Sequence, residues 1–233
     1  VVPWSVSLEI ALYALLAIVA VATRLFALDR FPLQETEGVS AWAAWSIVRG
    51  LPSVSFGAES PLPIFGAALS FLLFGASDVT ARLLPALVGG LCVVLPYALR
   101  RELGRAGALA AAGLLALGPS FMFVSRSVDG GMVVAAGALV LLACGLYYRQ
   151  HEDERCVYVA AVTLGVMAAA DKTAGPTALI LGVLAAIGWL RSDYERDLPT
   201  AALRYGALAF LSTIILLGTG LLSNLQGIQA ALV

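Results

Sequence analysis

The chain has little charge and few side chains of the kinds that bind metals or form disulfides. Only 12% of its 233 residues are charged, whereas 61% are hydrophobic. This scarcity of charge excludes an ordinary soluble domain. With a formal net charge of −1, the sequence does not show the excess of basic residues that is typical of a nucleic-acid-binding protein. The cysteines Cys92, Cys144 and Cys156 lie in apolar runs without CxxC spacing, so we expect small core residues rather than disulfides or metal ligands.

Signature motifs of several enzyme classes are also missing. The sequence contains no HExxH, P-loop, GxSxG or GxGxxG in the required setting, so metalloprotease, NTPase, hydrolase and dinucleotide-binding interpretations have no basis. The one histidine, His151, stands alone and is expected to be a solvated loop residue. No acid or base lies at the centre of an apolar run. A proton-coupled transporter needs acidic or basic side chains there to relay protons, so the sequence argues against a transporter.

Long apolar runs fill most of the sequence and predict an all-α, polytopic membrane protein. The mean hydropathy is +0.93, and a bilayer core of about 30 Å needs about 20 apolar residues in a helix. Seven runs are predicted to span the membrane: 8–28, 80–99, 106–124, 130–148, 156–170, 173–190 and 201–222. We expect residues 1–233 to form a single transmembrane module of a longer parent protein.

The apolar segment 62–75 decides the orientation of every later span, because it is only 14 residues long. If it lies along the interface, eight arginines between Arg100 and Arg204 fall on the side of the N-terminus, which the positive-inside rule makes cytoplasmic. If it crosses, those arginines face outward. We therefore predict a juxtamembrane helix at 62–75, an outer loop at 29–61 and a cytoplasmic N-terminus in the cytoplasmic membrane.

The outer loop gathers the acidic side chains that could do chemistry. Thr36 is predicted to cap a helix that ends near Arg49, because its hydroxyl can accept an orphan backbone N–H. Glu37 then lies in the first turn, where the helix dipole favours an anion. The same topology puts the turns 125–129 and 171–176 outside, so the sequence predicts that three loops meet at one membrane face.

Several short motifs, taken in order, resemble those of the GT-C-fold glycosyltransferases. After a first span and an acidic outer loop, the motifs are ARLLPAL at 81–87, RRELG at 100–104, Ser125-Arg126 with Asp129, and DKTA at 171–174. The similarity is to the branch that contains the protein O-mannosyltransferases and the lipid A aminoarabinose transferase. The chain resembles the N-terminal, seven-span module that these enzymes share.

The resemblance implies a membrane glycosyltransferase that moves a sugar from a polyprenyl-phosphate carrier to an acceptor at the outer face. The expected partners are this lipid-linked sugar and the surrounding membrane lipids. The transfer needs a carboxylate that accepts the acceptor's proton, and a positive charge or a metal ion that stabilises the departing phosphate. No metal ligands are predicted, and the use of a divalent cation stays open.

The proton acceptor follows from alignment with the family, and the cations that could bind phosphate follow from their positions at the outer ends of predicted spans. An Asp-Glu pair opens the loop helix in the family, and the alignment puts Thr36 at the aspartate and Glu37 at the glutamate. A threonine cannot act as a base at neutral pH, so Glu37, and after it Glu35, is predicted to accept the proton. The substrate-binding candidates are Arg82, Arg126, Asp129, Lys172 and Glu59. The arginines suit phosphate because the guanidinium fork matches its oxygens, although each cation could instead snorkel or pair with a nearby acid.

A noncatalytic membrane subunit with a GT-C-like fold is the alternative. The threonine at position 36 favours it, as does the short length of the chain. Such a subunit would pack against partner membrane subunits in a larger complex. An enzyme needs a groove that leads to a carboxylate and a cation, whereas a subunit would have that groove filled.

Overall fold

The computed structural model describes residues 8–51, 60–190 and 200–219, and every regular element in these ranges is helical. A 3-10 helix at Leu95–Leu99 precedes the helix Arg100–Leu117, and that helix is bent at Gly104, where φ is +71°. The α-helices are α1 (Leu8–Leu25), α2 (Glu35–Val48), α3 (Pro61–Phe74), α4 (Asp78–Ala81), α5 (Leu83–Cys92), α6 (Arg100–Leu117), α7 (Pro119–Val124), α8 (Gly131–His151), α9 (Arg155–Ala170), α10 (Ala174–Leu190) and α11 (Thr200–Gly218).

Three helical stretches in the described ranges are long and apolar enough to cross a membrane. They are Leu8–Leu25, Leu83–Leu117 and Gly131–His151. Four shorter apolar helices accompany them: Pro61–Phe74, Arg155–Ala170, Ala174–Gly188 and Ala202–Gly218. The predicted all-helical membrane architecture is therefore confirmed, while the number of seven crossings stays a prediction.

The predicted span 80–99 is divided in the structure. Ser77 caps the short α4, since its hydroxyl accepts the backbone N–H of Thr80 at 3.2 Å. The chain turns at Arg82, α5 begins at Leu83, and the 3-10 helix begins at Leu95, next to Pro96. A proline has no N–H to donate, so an α-helical ladder breaks there.

The predicted span 106–124 is interrupted near its end. Helix α6 stops at Leu117, Gly118 is extended, and Pro119 opens α7. Proline suits the first position of a helix because a backbone N–H at that position would have no acceptor within the helix, so its absence costs nothing. Apolar composition alone cannot show this break, since both sides of it are equally hydrophobic.

Contacts near the chain's turns define one end of the helical bundle, named here the Glu9 end. Glu9 at the start of α1 faces Arg105 just after the bend in α6, with Oε2 and Nε 3.7 Å apart. Gln150 at the end of α8 donates a hydrogen bond to Glu102. The start of α1, the bend of α6 and the end of α8 therefore lie together.

Arg24 marks the opposite end, where α1 meets the end of α6. This side chain is fully buried, and its guanidinium donates to the carbonyls of Leu115 at 2.7 Å and Ala116 at 3.2 Å. Carbonyls in the last turn of a helix lack partners within the helix and attract a cation through the helix dipole. Arg24 thus ties α1 to α6 at the end that also carries Glu37, named here the Glu37 end.

Helices α2 and α3 pack against each other at the Glu37 end. Their buried residues form one apolar cluster with two residues outside these helices: Ala41, Ala43, Ala44, Ile64, Ala67, Ala68, Phe71, Ala81 and Val128. Alanines dominate the α2 side, so the two helices approach closely. On the other side of α3, Leu69, Leu72, Leu73 and Phe74 are exposed. An apolar outer face of this kind is suited to contact with lipid rather than with water.

We predict that Gly89→Ala destabilises the fold. A Cβ at this position would lie 2.5 Å from the Cβ of Ser125 and 2.9 Å from Nε of Arg24, and overpacking of this kind typically lowers the free energy of unfolding by about 1–3 kcal/mol. The measurement is the thermal unfolding midpoint in detergent. Gly113→Ala is the matched control, because nothing lies within 4 Å of its added Cβ and alanine favours a helix. Equal midpoints for the two variants would contradict the prediction.

Candidate active site

The first turn of α2 is shaped by Gln34 and Glu37. Gln34 has the extended backbone of an N-cap residue, with φ −68° and ψ 163°. The Glu37 carboxylate turns back and accepts the N–H of Gln34 at 2.9 Å, which satisfies one of the orphan donors of the helix start. The predicted capping role of Thr36 is wrong, because the helix begins at Glu35 and Thr36 already lies inside it.

Glu37 forms a buried, bidentate ion pair with Arg82. Oε2 lies 2.6 Å from Nη2 and Oε1 lies 3.2 Å from Nε. Oε1 also accepts the backbone N–H of Val128 at 2.8 Å. The carboxylate of Glu37 therefore has four donors around it, two from Arg82 and one each from Gln34 and Val128, and its side chain is only 5% exposed.

The remaining donors of Arg82 bind the connection between α1 and α2. Nη1 donates to the carbonyls of Leu28 and Phe31, both at 2.8 Å, and Nη2 donates to that of Pro32 at 3.2 Å. A guanidinium has five N–H donors, and all five are used here. The predicted role of Arg82 in binding phosphate stays a prediction, but this geometry favours a bracing role.

The surroundings of Glu37 hold its carboxylate in the ionised form. Burial alone would raise the pKa of Glu37, but the hydrogen bonds from Arg82, Gln34 and Val128, together with the charge of Arg82, outweigh burial and lower the pKa below its usual value. A proton acceptor needs a free oxygen and a pKa near the working pH. The predicted catalytic role of Glu37 stays a prediction, and the geometry favours a structural one.

A polar pocket of about 110 Å³ lies beside this ion pair. Four segments of the chain supply its wall: the start of α2, the start of α3, the turn between α7 and α8, and the turn between α9 and α10. The polar side chains of the wall belong to Gln34, Thr36, Glu37, Ser40, Ser60, Ser127, Asp129 and Asp171. The structure thus brings together the three loops that the sequence assigned to one face.

The turns that carry Asp129 and Asp171 are held together by a close backbone contact. A Cβ on Gly130 would overlap the carbonyl oxygen of Ala170, so only glycine permits this approach. Asp129 is exposed and accepts hydrogen bonds from the Ser127 hydroxyl at 2.6 Å and from the Gly131 N–H at 3.1 Å. Asp171 is half-buried and accepts the Thr173 N–H at 2.8 Å.

The two other cations predicted to bind phosphate, Arg126 and Lys172, differ in whether they donate hydrogen bonds to the protein. Arg126 donates to the carbonyl of Thr23 at 3.1 Å and to that of Ala27 at 2.7 Å, so it caps the end of α1. Lys172 is exposed and makes no hydrogen bond or ion pair with the part of the chain that the structure describes. Lys172 directly follows Asp171 of the pocket wall in the sequence, and its positive charge is open to solvent.

Two predicted acids do not join the pocket wall. Glu35 is exposed at the first position of α2 and is not part of the pocket wall. Glu59 lies outside the described residues. Sequence reasoning missed Asp171 as a site residue, although it stands in the DKTA motif, and also missed Gly130, whose role depends on a contact across 40 residues of sequence.

A larger cavity of about 430 Å³ lies between α8, α9 and α11. Among the described residues of its wall there is no carboxylate and no basic side chain, and its side chains with a thiol or hydroxyl are Cys144, Cys156 and Tyr148. Within the described ranges, no group of three or more His, Cys, Asp or Glu side chains is placed to hold a metal ion. His151 is exposed in the last turn of α8 and stacks on Tyr147.

Fold and site together define an all-helical integral membrane protein with a polar pocket at one end of an apolar bundle. Residues 58–217, more than half of the chain, match the sequence profile of the family described as dolichyl-phosphate-mannose-protein mannosyltransferase. The chain belongs to this family, which indicates a membrane glycosyltransferase of the GT-C type with a lipid-linked sugar donor. A comparison with curated proteins finds no match.

We predict that Glu37→Gln strongly destabilises the protein. The change leaves the buried charge of Arg82 without a counter-ion, and breaking a buried ion pair in this way typically lowers the free energy of unfolding by about 3–5 kcal/mol. The thermal unfolding midpoint in detergent measures the effect. Glu35→Gln is the matched control from the same helical turn, and its effect should stay within about 0.5 kcal/mol. Similar midpoints for both variants would show that the ion pair does not brace the fold.

The same ion pair predicts how stability depends on pH. The pKa of Glu37 in the folded state lies below the unfolded value, which is about 4.3. Glu37 therefore contributes its full stabilisation above that pH and loses it as the pH falls through the folded pKa. The difference between the unfolding midpoints of wild type and Glu37→Gln should be constant near neutral pH and shrink under acid conditions. A difference that grows on acidification would contradict this.

Proposed function

We propose that this protein transfers a sugar from a polyprenyl-phosphate carrier to an acceptor at the outer face of the membrane, and that the polar pocket at the Glu37 end is the reaction site. One observation carries the proposal: in a chain of this glycosyltransferase family, three loops converge on a pocket that contains carboxylates, and the exposed Lys172 directly follows Asp171 of its wall. Apolar helices lead away from that pocket, as a lipid-linked donor requires.

The chemistry needs few protein groups. The acceptor's oxygen attacks the anomeric carbon of the sugar, the bond from that carbon to the phosphate oxygen breaks, and the lipid phosphate departs. A carboxylate takes the acceptor's proton, and a positive charge stabilises the phosphate. Of Arg82, Arg126 and Lys172, Lys172 is the one whose donors are free in the described part of the chain, and Arg126 lies on the turn before α8.

In this proposal, the pair of Glu37 and Arg82 positions the site rather than reacting. It joins the start of α2, the connection from α1, the start of α5 and the turn before α8. Asp129 is suited to bind sugar hydroxyls, because its carboxylate is exposed at the pocket wall and each of its oxygens, which accepts one hydrogen bond within the turn, keeps a second lone pair. The polar groups therefore divide into a fixed set that shapes the pocket and an open set that contacts the substrate.

The proposed topology has seven crossings, with α3 lying along the outer interface. Contacts at the Glu9 and Glu37 ends support it, since α1 and α6 both run from the Glu9 end to the Glu37 end, whereas α8 ends at the Glu9 end. The exposed apolar face of α3 supports an interfacial position. Trp42 is exposed on α2 and stacks on Trp45, and tryptophans of this kind anchor helices at membrane interfaces.

A noncatalytic subunit remains the second candidate, and two observations favour it. Thr36 stands where the resemblance expects the catalytic aspartate, and the donors of Arg82 are fully used within the chain. In that case the pocket would be a remnant, and partner membrane subunits would supply the activity. A test of transfer by the isolated protein separates the two candidates.

We predict that purified protein in proteoliposomes, with a membrane extract added as the source of acceptor, releases mannose from radiolabelled polyprenyl-phosphate mannose by transferring it to the acceptor, and that Lys172→Gln weakens this activity. A hydrogen bond to a charged group contributes about 1.5–3 kcal/mol, so the rate should fall roughly 10- to 100-fold. Arg101→Gln is the matched control, since Arg101 is exposed at the Glu9 end. Absence of release by wild type would refute the proposed function, and equal rates for both variants would remove Lys172 from it.

A further inference from the structure

Three carboxylates line the polar pocket, and they differ in how many of their oxygens are available. Both oxygens of Glu37 are engaged, each by two donors. Both oxygens of Asp129 are engaged as well, Oδ1 by the Gly131 N–H and Oδ2 by the Ser127 hydroxyl. Asp171 is different, because only Oδ1 has a donor, the Thr173 N–H at 2.8 Å. Its Oδ2 accepts no hydrogen bond from the described residues.

The backbone around Asp171 is fixed, so its free oxygen has a defined place. The Asp171 N–H donates to the carbonyl of Met167, and the Asp171 carbonyl accepts the N–H of Ala174. The preceding residue, Ala170, is fully buried and packs against Gly130 without room for a Cβ. These contacts hold the side chain of Asp171 at the wall of the pocket that Thr36 also lines.

We propose that Asp171 is the proton acceptor of the transfer reaction, an inference that rests on the proposed function. As the acceptor's hydroxyl oxygen bonds to the anomeric carbon, its proton passes to Oδ2 of Asp171. The bond between the anomeric carbon and the phosphate oxygen breaks, and its electron pair leaves with the polyprenyl phosphate. Lys172, the next residue, lies close enough in sequence for one turn to supply both the base and a positive charge.

With Asp171 as the base, the pocket can support the transfer without an acid at position 36. Thr36 and Asp171 come from different segments but line the same small volume. A carboxylate at position 36 or at position 171 would therefore line the same polar pocket. An acid placed at position 36 should therefore substitute for Asp171, which gives the inference a specific test.

The experiment measures mannose release from radiolabelled polyprenyl-phosphate mannose, with the same acceptor extract present, by wild type, Asp171→Asn, and the double variant Thr36→Asp with Asp171→Asn. Removal of a general base typically slows a reaction by about 10²–10⁴-fold, so we expect such a loss in Asp171→Asn with unchanged binding of the donor lipid. The double variant should recover much of the rate. Asparagine keeps an oxygen for the Thr173 N–H, and Asp171→Ser is a second variant that preserves the turn.

Asp153→Asn is the matched control. Asp153 also accepts the N–H of the residue two positions on, Arg155, at 3.0 Å, but it lies in the turn between α8 and α9 at the Glu9 end. Its replacement should leave the rate unchanged. If wild type is active and Asp171→Asn and Asp171→Ser keep the wild-type rate, this inference fails while the proposed function stands. If wild type is inactive, both fail.

Discussion

The buried ion pair between Glu37 and Arg82 is the interaction on which the Glu37 end depends. Its two charges lie inside the protein, where an unpaired charge would be strongly unfavourable. Pairing alone does not suffice, so backbone groups complete the shell: N–H groups of Gln34 and Val128 on the carboxylate, and three carbonyls on the guanidinium. Because these groups come from distant segments, the pair fixes the relative positions of the loops that form the pocket.

Arginines perform a second task in this fold, which is to bind carbonyls at the ends of helices. Arg24 binds the last turn of α6, and Arg126 binds carbonyls at the end of α1. In an apolar setting a carbonyl without a partner is costly, and a long cationic side chain can reach several of them. Basic residues at this end therefore cannot be assigned to substrate binding from their position in the sequence alone.

The sequence predicted the helical membrane architecture, the convergence of three loops and the family resemblance, because apolar run length, charge placement and motif order are local signals. It did not predict the helix breaks near Pro96 and Pro119 or the true cap at Gln34. Nor could it separate engaged from free side chains: Glu37, Arg82 and Lys172 look equally functional in the sequence. Their difference depends on contacts across 45 residues or more, such as that between Glu37 and Arg82, which no local pattern encodes.

Because the pocket wall comes from four segments of the chain, a carboxylate can enter it from more than one place in the sequence. The proposed reaction requires a carboxylate oxygen within the pocket, and each of the four segments of the wall could supply one. In the first turn of α2, Glu37 is paired with Arg82. In the turn before α8, each oxygen of Asp129 accepts a hydrogen bond from a residue of the same turn. The turn between α9 and α10 leaves one oxygen free. Under the proposed function, the absence of an aspartate at position 36 is therefore compatible with activity, because another segment of the pocket wall can supply the carboxylate.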